Sequence, residues 1–350
     1  MKRVTWPILA AVGWLWMAFA AYGDPTGAAR AYLPAFQWVL ALPVGSLAFL
    51  MIHHATGGAW GRLLGPALRA GAMTMPVMIL LALPLLGTLP SVYPWARPEE
   101  VAATPLWQHR EAYLNPLAYT ARLILALLIW SGLARAMRSE RPNPALQHGA
   151  CAGLVFHLAV TGLLAMDSIG SLEAHFRSSL FGLVVMVLQA ISAFSLLTLW
   201  ACLRYPRDAR LKDLGGLLMA QVMLVGYLQL SQFLIIWSGN LPEETGWLAT
   251  RAFGPWGGLA VALVALQFVL PFVLLGWGQL SQGGGRLSLI SGLLLVMSAA
   301  QFLWLIVPSF SPEQFAFSPA HPAAFLALAC TWATVFHWTL DRCAPSEVAG

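Results

Sequence analysis

Charged residues are scarce in this chain: Asp, Glu, Lys and Arg make up only 9% of its 350 residues, whereas 59% are hydrophobic. The mean hydropathy is +0.72. This apolar surface exceeds what the core of a water-soluble protein of this length can bury, so a soluble fold is excluded. The composition therefore predicts an all-α polytopic membrane protein, because helices satisfy their own backbone groups in lipid.

Signatures of redox and nucleotide chemistry are also missing. The chain has four cysteines, and none of them belongs to a C-x-x-C or C-x-x-C-H motif. Iron–sulfur clusters and covalent haem therefore have no ligand set here. No Walker A sequence, Rossmann glycine pattern or H-E-x-x-H motif occurs, which argues against a nucleotide enzyme or a membrane metalloprotease. We expect no catalytic residue, no metal site and no covalently bound cofactor in this chain.

Ten apolar stretches are long enough to cross a bilayer, which takes roughly 20 helical residues. The predicted spans are 5–22, 32–54, 66–89, 116–137, 145–166, 178–203, 216–238, 252–277, 286–307 and 321–340. Residues 1–340 are expected to form a single integral membrane helical domain, followed by a short cytoplasmic tail at 341–350. The longest connection, 90–115, mixes Pro, Trp, Tyr, His and Glu, which favours a folded cap over a flexible linker.

The basic residues follow the positive-inside rule when both termini are cytoplasmic. Of the 19 Lys and Arg residues, 13 then lie inside, five lie outside, and Arg122 lies in a helix. The inside set is Lys2, Arg3, Arg62, Arg69, Arg135, Arg138, Arg141, Arg204, Arg207, Arg210, Lys212, Arg286 and Arg342. The net charge of +5 reflects this topology and contact with anionic lipid, so we expect no nucleic-acid partner. Cleavage of the first helix as a secretory signal stays an alternative.

Polar groups at membrane depth are costly and are therefore functional candidates. The candidates for a proton path are His53, His54, Arg122, His157, Asp167, Glu173 and His175. Histidine titrates near neutral pH, and a carboxylate beside an arginine can stay charged. The alternatives are a structural Arg122–Asp167 pair, a His157 bonded to a backbone carbonyl, and a turn at 53–61 that only packs two helices.

The seventh predicted helix and the loop after it carry groups that suit a quinone. These candidates are Gln229, Gln232, Trp237, Glu243 and Glu244. Amides can donate to the carbonyl oxygens of a quinone head group, while tryptophan packs on its ring. Alternatively, the glutamines only join neighbouring helices, and the acids after Pro242 only favour the start of a helix.

Several motifs resemble the F subunit of bacterial alternative complex III. They are 51–61 (MIHHATGGAWG), 93–96 (YPWA), His109 with 113–115 (YLN), 171–176 (SLEAHF) with 180–182 (LFG), 232–237 (QFLIIW) and 240–245 (NLPEET). The resemblance implies a ten-helix, NrfD-like subunit of a quinol:cytochrome c (or quinol:copper protein) oxidoreductase in the bacterial inner membrane. It implies an NrfD-like sister subunit, an iron–sulfur subunit, haem c subunits and lipid as partners. It assigns the quinol site mainly to the sister subunit and a part in proton movement to this one, with a quinone at or near it.

Three functions stay open on the sequence. The first is a subunit of this electron-transfer complex, the second is a stand-alone proton or solute transporter, and the third is a membrane assembly protein without chemistry. Transporters often have helices broken at mid-membrane, whereas most glycines here lie near predicted helix ends. The complex subunit is therefore the working hypothesis, and whether the chain is itself an enzyme is left open.

Overall fold

The computed structural model describes residues 5–139, 144–277 and 284–343. Over these ranges the chain is an all-α polytopic membrane protein, with helices and turns and no β-strand. Ten helices are long and apolar enough to cross a bilayer, which confirms the ten predicted spans. They are α1 (Thr5–Gly23), α2 (Pro25–Thr56), α3 (Ala59–Gly87), α4 (Pro116–Ala136), α5 (Pro144–Leu172), α6 (Phe181–Arg204), α7 (Leu211–Gly239), α8 (Gly257–Gly276), α9 (Gly284–Ser309) and α10 (Ala320–Cys343).

Local capping signals decide where two of these helices begin. The Asp24 side chain accepts the Gly27 N–H at 2.8 Å, and Pro25 occupies the first helical position. The predicted start of this span at residue 32 is therefore wrong, because the Asp24 cap and Pro25 begin the helix seven residues earlier. Asn115 caps α4 in the same way, accepting the Ala118 N–H at 2.9 Å.

The last helix is longer than its predicted span. It continues to Cys343, so the first residues of the predicted 341–350 tail are helical. Residues 344–350 lie outside the described ranges.

Contacts between the spans form two rings of four helices. The helices α2, α3, α4 and α5 close one ring, and α6, α7, α8 and α9 close the other. The seam between the rings is made mainly by α2 and α6, and α1 pairs with α10 against the first ring. The helix α2 is buried by this arrangement on most of its surface, which explains why nearly all of its residues are apolar or small.

The seam depends on a glycine. A Cβ atom built at Gly45 of α2 would lie 2.5 Å from the Gln189 carbonyl oxygen and 2.6 Å from the Ala193 Cβ atom of α6. Real Cβ atoms do not approach other atoms so closely, so only glycine lets the two helices meet here. Small residues at helix contacts are the usual means of close packing in lipid.

The two ends of the bundle carry different connections. We call the end where α2 meets α3 the His53 end, and the opposite end the Tyr93 end. At the Tyr93 end, the connection between α3 and α4 forms four short helices, Leu89–Val92, Pro94–Ala96, Pro98–Ala103 and Pro105–Arg110. This connection is therefore folded, as its composition predicts. A further short helix, Pro242–Ala252, joins α7 to α8 at the same end.

Buried aromatic residues fasten this connection to the bundle. The Tyr93 hydroxyl donates to the Ser168 carbonyl oxygen at 3.0 Å, and the Trp95 indole donates to the Ser171 hydroxyl at 2.9 Å. Both aromatic side chains are buried, and burial raises the pKa of the Tyr93 phenol well above its usual value. The YPWA motif thus holds the connection against the end of α5.

Candidate functional site

A cleft of about 520 Å³ lies in the second ring, between α7, α8, α9 and the short helix Pro242–Ala252. Its walls are mainly apolar, and four glutamines line it. Gln229 and Gln232 belong to α7, Gln267 to α8 and Gln301 to α9. We call it the glutamine cleft. Pockets of roughly 300–1,000 Å³ with apolar walls and a few polar groups are typical of small-molecule sites.

Two amide nitrogens in the glutamine cleft lack a hydrogen-bond acceptor. The Oε1 atom of Gln232 accepts the Ser178 hydroxyl at 2.6 Å, but its Nε2 atom has no partner among the described residues. The Nε2 atom of Gln267 is likewise buried without a partner in the described ranges. A buried donor left unpaired costs about 1–3 kcal/mol. The cleft therefore offers two donors to acceptor oxygens of a ligand.

The position of Gln267 follows from a break in α8. Residues Val264–Val269 form a π-helical turn in the middle of this span. Pro271 follows, and because it has no N–H it cannot bond the carbonyl of Gln267, four residues earlier. Single π-helical turns of this kind are frequent at functional sites. Here the turn lies beside the cleft and carries Gln267 into its wall.

The glutamines lie at similar depths in the bundle. Gln232 is about 10 Å from the Tyr93 end of α7, Gln267 about 15 Å from the start of α8, and Gln301 about 12 Å from the end of α9, at 1.5 Å per residue. They therefore face one region of the cleft rather than a column through the membrane.

The cleft opens toward lipid. Several of its apolar lining side chains are exposed on the outside of the bundle, Tyr227 and Val264 among them, at 66% and 60%. A lipid-soluble molecule can thus enter sideways from the hydrocarbon layer. The Phe268 ring lies against Gly226 of α7, where a side chain would collide with it.

Two indoles close the Tyr93 end of the cleft. Trp247 and Trp304 both line it, with ring centroids 6.2 Å apart in an edge-to-face arrangement. The Trp304 indole donates to the Arg251 carbonyl oxygen at 3.1 Å. The short helix Pro242–Ala252 is thereby tied to α9.

Arg251, which is buried, stabilises this helix through an ion pair with the partly exposed Glu173. Its Nη2 atom lies 2.9 Å from the Glu173 carboxylate, 2.7 Å from the Ser309 hydroxyl and 3.0 Å from the Leu305 carbonyl oxygen. The guanidinium also lies over the Trp247 ring, 4.1 Å from its centroid. Burial lowers the pKa of Arg251, and the negative charge of Glu173 opposes this shift. The ion pair therefore fixes one wall of the cleft.

The predicted quinone candidates are only partly brought together. Gln229 and Gln232 line the cleft. Trp237 does not line it: the side chain is 61% exposed and stacks on Phe233. Glu244 is not a lining residue either, and the side chain of Glu243 lies outside what the structure describes.

Sequence reasoning missed the other half of the cleft, which consists of Gln267, Gln301, Trp247 and Trp304. A lone amide followed by a proline in an otherwise apolar span was the available signal for Gln267. Arg251, one of the five basic residues that the charge pattern places outside the membrane, is fully buried. The only sequence signal for this burial was that Arg251 lies in an outer connection, although most basic residues are predicted on the cytoplasmic side.

Of the predicted proton-path residues, the structure joins Arg122 with Asp167. The Arg122 Nε atom lies 2.7 Å from the Asp167 carboxylate, and the Nη1 atom donates to the Tyr113 carbonyl oxygen at 2.9 Å. Burial and the negative charge of Asp167 raise the pKa of the Tyr113 phenol, while Arg122 opposes them. The structural pair, given above as the alternative for these residues, is present.

The other acid on that list is paired as well, since Glu173 binds Arg251 and accepts the Ser309 hydroxyl at 2.6 Å. His175 is exposed. His157 is buried beside Trp130, with ring centroids 6.0 Å apart. Its Nδ1 atom has no hydrogen-bond partner in the described ranges, so this nitrogen does not bond a backbone carbonyl.

His53 and His54 lie together at the turn between α2 and α3. Their ring centroids are 6.2 Å apart, and the His53 ring meets Trp60 edge-on at 5.5 Å. His54 bonds the Met137 carbonyl oxygen at 2.9 Å through Nε2. These contacts hold both rings at the His53 end, where they line a second cavity.

Metal ligation has no geometric support in the ranges described, where no three His, Cys, Asp or Glu side chains lie close enough to share an ion. The glutamine cleft combines mainly apolar walls with two unpaired amide nitrogens. Comparison of the chain with protein-family models and with curated proteins found no match.

Proposed function

We propose that the glutamine cleft binds a quinone head group, and that the chain serves as an integral membrane subunit of a quinol:cytochrome c (or quinol:copper protein) oxidoreductase. The observation that carries the binding proposal is the pair of unpartnered amide nitrogens, on Gln232 and Gln267, in an apolar cleft open to lipid. A quinone has two carbonyl acceptors on a flat apolar ring, and it has an apolar tail. The carbonyls can accept from the amide donors, the ring can pack on the indoles, and the tail can extend through the lateral opening into lipid.

The assignment to an oxidoreductase complex rests on the motif resemblance described above. The resemblance places the iron–sulfur and haem groups in partner subunits, so this chain would supply the binding environment of the quinone. Both termini on the cytoplasmic side of a bacterial inner membrane remain a prediction from the basic residues.

A photoreactive quinone tests the binding proposal directly. The protein in lipid nanodiscs is irradiated with an azido-quinone, digested, and the labelled peptides are identified by mass spectrometry. We expect labels on α7, α8 and α9 around the cleft, reduced in Gln232→Leu and Gln267→Leu. Gln221→Leu is the matched control, because Gln221 is on α7 but does not line the cleft. Labels elsewhere, or equal labelling of all variants, would contradict the proposal.

Purification in mild detergent tests the complex. A tagged chain should bring down a haem- and iron–sulfur-containing partner visible in its absorption spectrum. If the chain purifies without such a partner but its cleft is still labelled by the quinone, the chain binds quinone and the proposal of a complex is refuted.

Proton movement through this chain stays a prediction. In the intact complex, His157→Leu and the double variant His53→Ala/His54→Ala should lower the ratio of protons moved to electrons transferred. An unchanged ratio in assembled variants would leave these histidines structural.

One observation favours a transporter as second candidate: α8 is interrupted by its π-helical turn near the middle of the span. Interrupted helices often surround the substrate site of transporters. The test uses proteoliposomes that contain only this chain. Uptake of a labelled solute that is lost in the Gln267→Leu variant would favour a transporter over the complex subunit.

A further inference from the structure

A second cavity, of about 490 Å³, lies at the turn between α2 and α3. Its polar wall combines imidazole, guanidinium and turn glycines, from His53, His54, Arg62, Arg69, Gly57 and Gly58. We call it the basic cavity. It is far along the chain from the glutamine cleft and shares no lining residue with it.

None of the described lining residues of the basic cavity is an aspartate or a glutamate. Arg62 is exposed, and none of the described acids forms an ion pair with it. The Nδ1 atom of His53 is buried and has no hydrogen-bond partner in the described part of the chain. The guanidinium of Arg62 and the imidazole of His53 therefore line one cavity with no carboxylate in its described wall, and such a cavity suits an anion.

Three glycines determine the shape of the turn that borders the basic cavity. Gly57 and Gly58 have φ angles of +73° and +112°, which side chains other than glycine rarely adopt. The absent side chain of Gly61 leaves room for the His53 ring. The first amides of α3 receive no side-chain cap from Gly58, so their N–H groups add to the donors near the cavity.

The depth of the cavity identifies the source of the anion. It lies where two membrane-spanning helices end, which is the level of lipid head groups. Leu50 and Pro66 add an apolar flank to its basic wall. Basic pockets between spanning helices commonly hold anionic head groups.

We propose that the basic cavity binds the phosphate group of an anionic phospholipid. Arg62 and His53 contact the phosphate, and the apolar flank contacts the start of an acyl chain. A zwitterionic lipid fits less well because its choline cation meets the same positive wall.

Delipidated protein in detergent provides the test. Its thermal unfolding is followed while phosphatidylglycerol, phosphatidylcholine or inorganic phosphate is added in separate titrations. We expect phosphatidylglycerol alone to raise the unfolding temperature with saturation. Arg62→Gln should weaken this binding about five-fold, from roughly 1 kcal/mol per basic residue near a membrane surface. Native mass spectrometry of the wild-type protein counts the bound lipid independently and should show one retained phosphatidylglycerol.

The control variant is Arg204→Gln, since Arg204 is an exposed basic residue at the end of α6 that does not line the cavity. It should bind phosphatidylglycerol like the wild type. An equal loss in both variants would mean general surface attraction and overturn the site. An equal shift with inorganic phosphate would make it a free-anion site, and an equal shift with phosphatidylcholine, or none at all, would also refute the proposal.

Discussion

Replacing Gln267 by leucine should stabilise the empty protein and weaken quinone binding at the same time. The side chain is 2% exposed, and its amide nitrogen has no acceptor in the described residues. Leucine has a similar volume and no donor to leave unpaired. Removing an unpaired buried donor is worth about 1–3 kcal/mol in water-soluble proteins, and polar contacts in membranes measure smaller, so we expect a gain of about 1 kcal/mol.

Binding should change in the opposite direction. A neutral hydrogen bond contributes about 1 kcal/mol, which corresponds to roughly five-fold weaker quinone affinity in Gln267→Leu. Trp247 and Trp304 line the cleft, so quenching of their fluorescence by a short-chain quinone reports the affinity. Equilibrium unfolding in mixed detergent micelles, without quinone, reports the stability.

Gln221→Leu separates the two effects. The Oε1 atom of Gln221 is also buried without a partner in the described ranges, but the residue does not line the cleft. This variant should gain stability and keep its quinone affinity. A loss of stability in ligand-free Gln267→Leu would refute the reasoning about the unpaired amide, and an unchanged affinity would remove Gln267 from the binding site.

Three further predictions follow from contacts elsewhere in the bundle. Arg122→Gln should lower the free energy of unfolding by about 2 kcal/mol or more, because Asp167 stays buried without its partner; adding Asp167→Asn should restore part of it in the same unfolding assay, and no recovery would contradict the pairing. Gly45→Ala should destabilise by about 1–3 kcal/mol through collision with α6, whereas Gly132→Ala, which meets no atom within 4 Å, should be near neutral; equal effects in thermal unfolding would refute a tight seam. A phosphatase reporter fused after Arg342 should be inactive, since we expect a cytoplasmic C-terminus, and a periplasmic reading would reverse the predicted topology.

The charge pattern and the hydropathy were enough to predict ten spans, because the length of an apolar run is a local property that the bilayer tests directly. The starts of two spans were wrong. The α3 span begins at Ala59 and not at residue 66. The α2 span begins at Pro25, after Asp24, and not at residue 32. Capping is also a local property, and the Asp24–Pro25 pair is the sequence signal for this start.

The candidate sites were predictable only in part. Gln229 and Gln232 are three residues apart on one helix face, which sequence spacing reveals. Their partners in the cleft, Gln267 and Gln301, come from two other helices, and a π-helical turn sets the direction of Gln267. Sequence spacing assumes a regular helix, so it does not predict how a π-helical turn changes the direction of a side chain.

The sequence by itself determined the class, the number of spans and the acids and bases at the membrane surface, since each depends on composition over one helix length. The tertiary structure decided which of these groups meet. Arg251 and Glu173 are distant in sequence, as are Arg122 and Asp167, and each pair forms only because particular helices are neighbours. Which amides remain unpaired, and thus available to a ligand, is likewise a property of packed helices, because a donor is satisfied or left open by whatever atom the neighbouring helix places beside it.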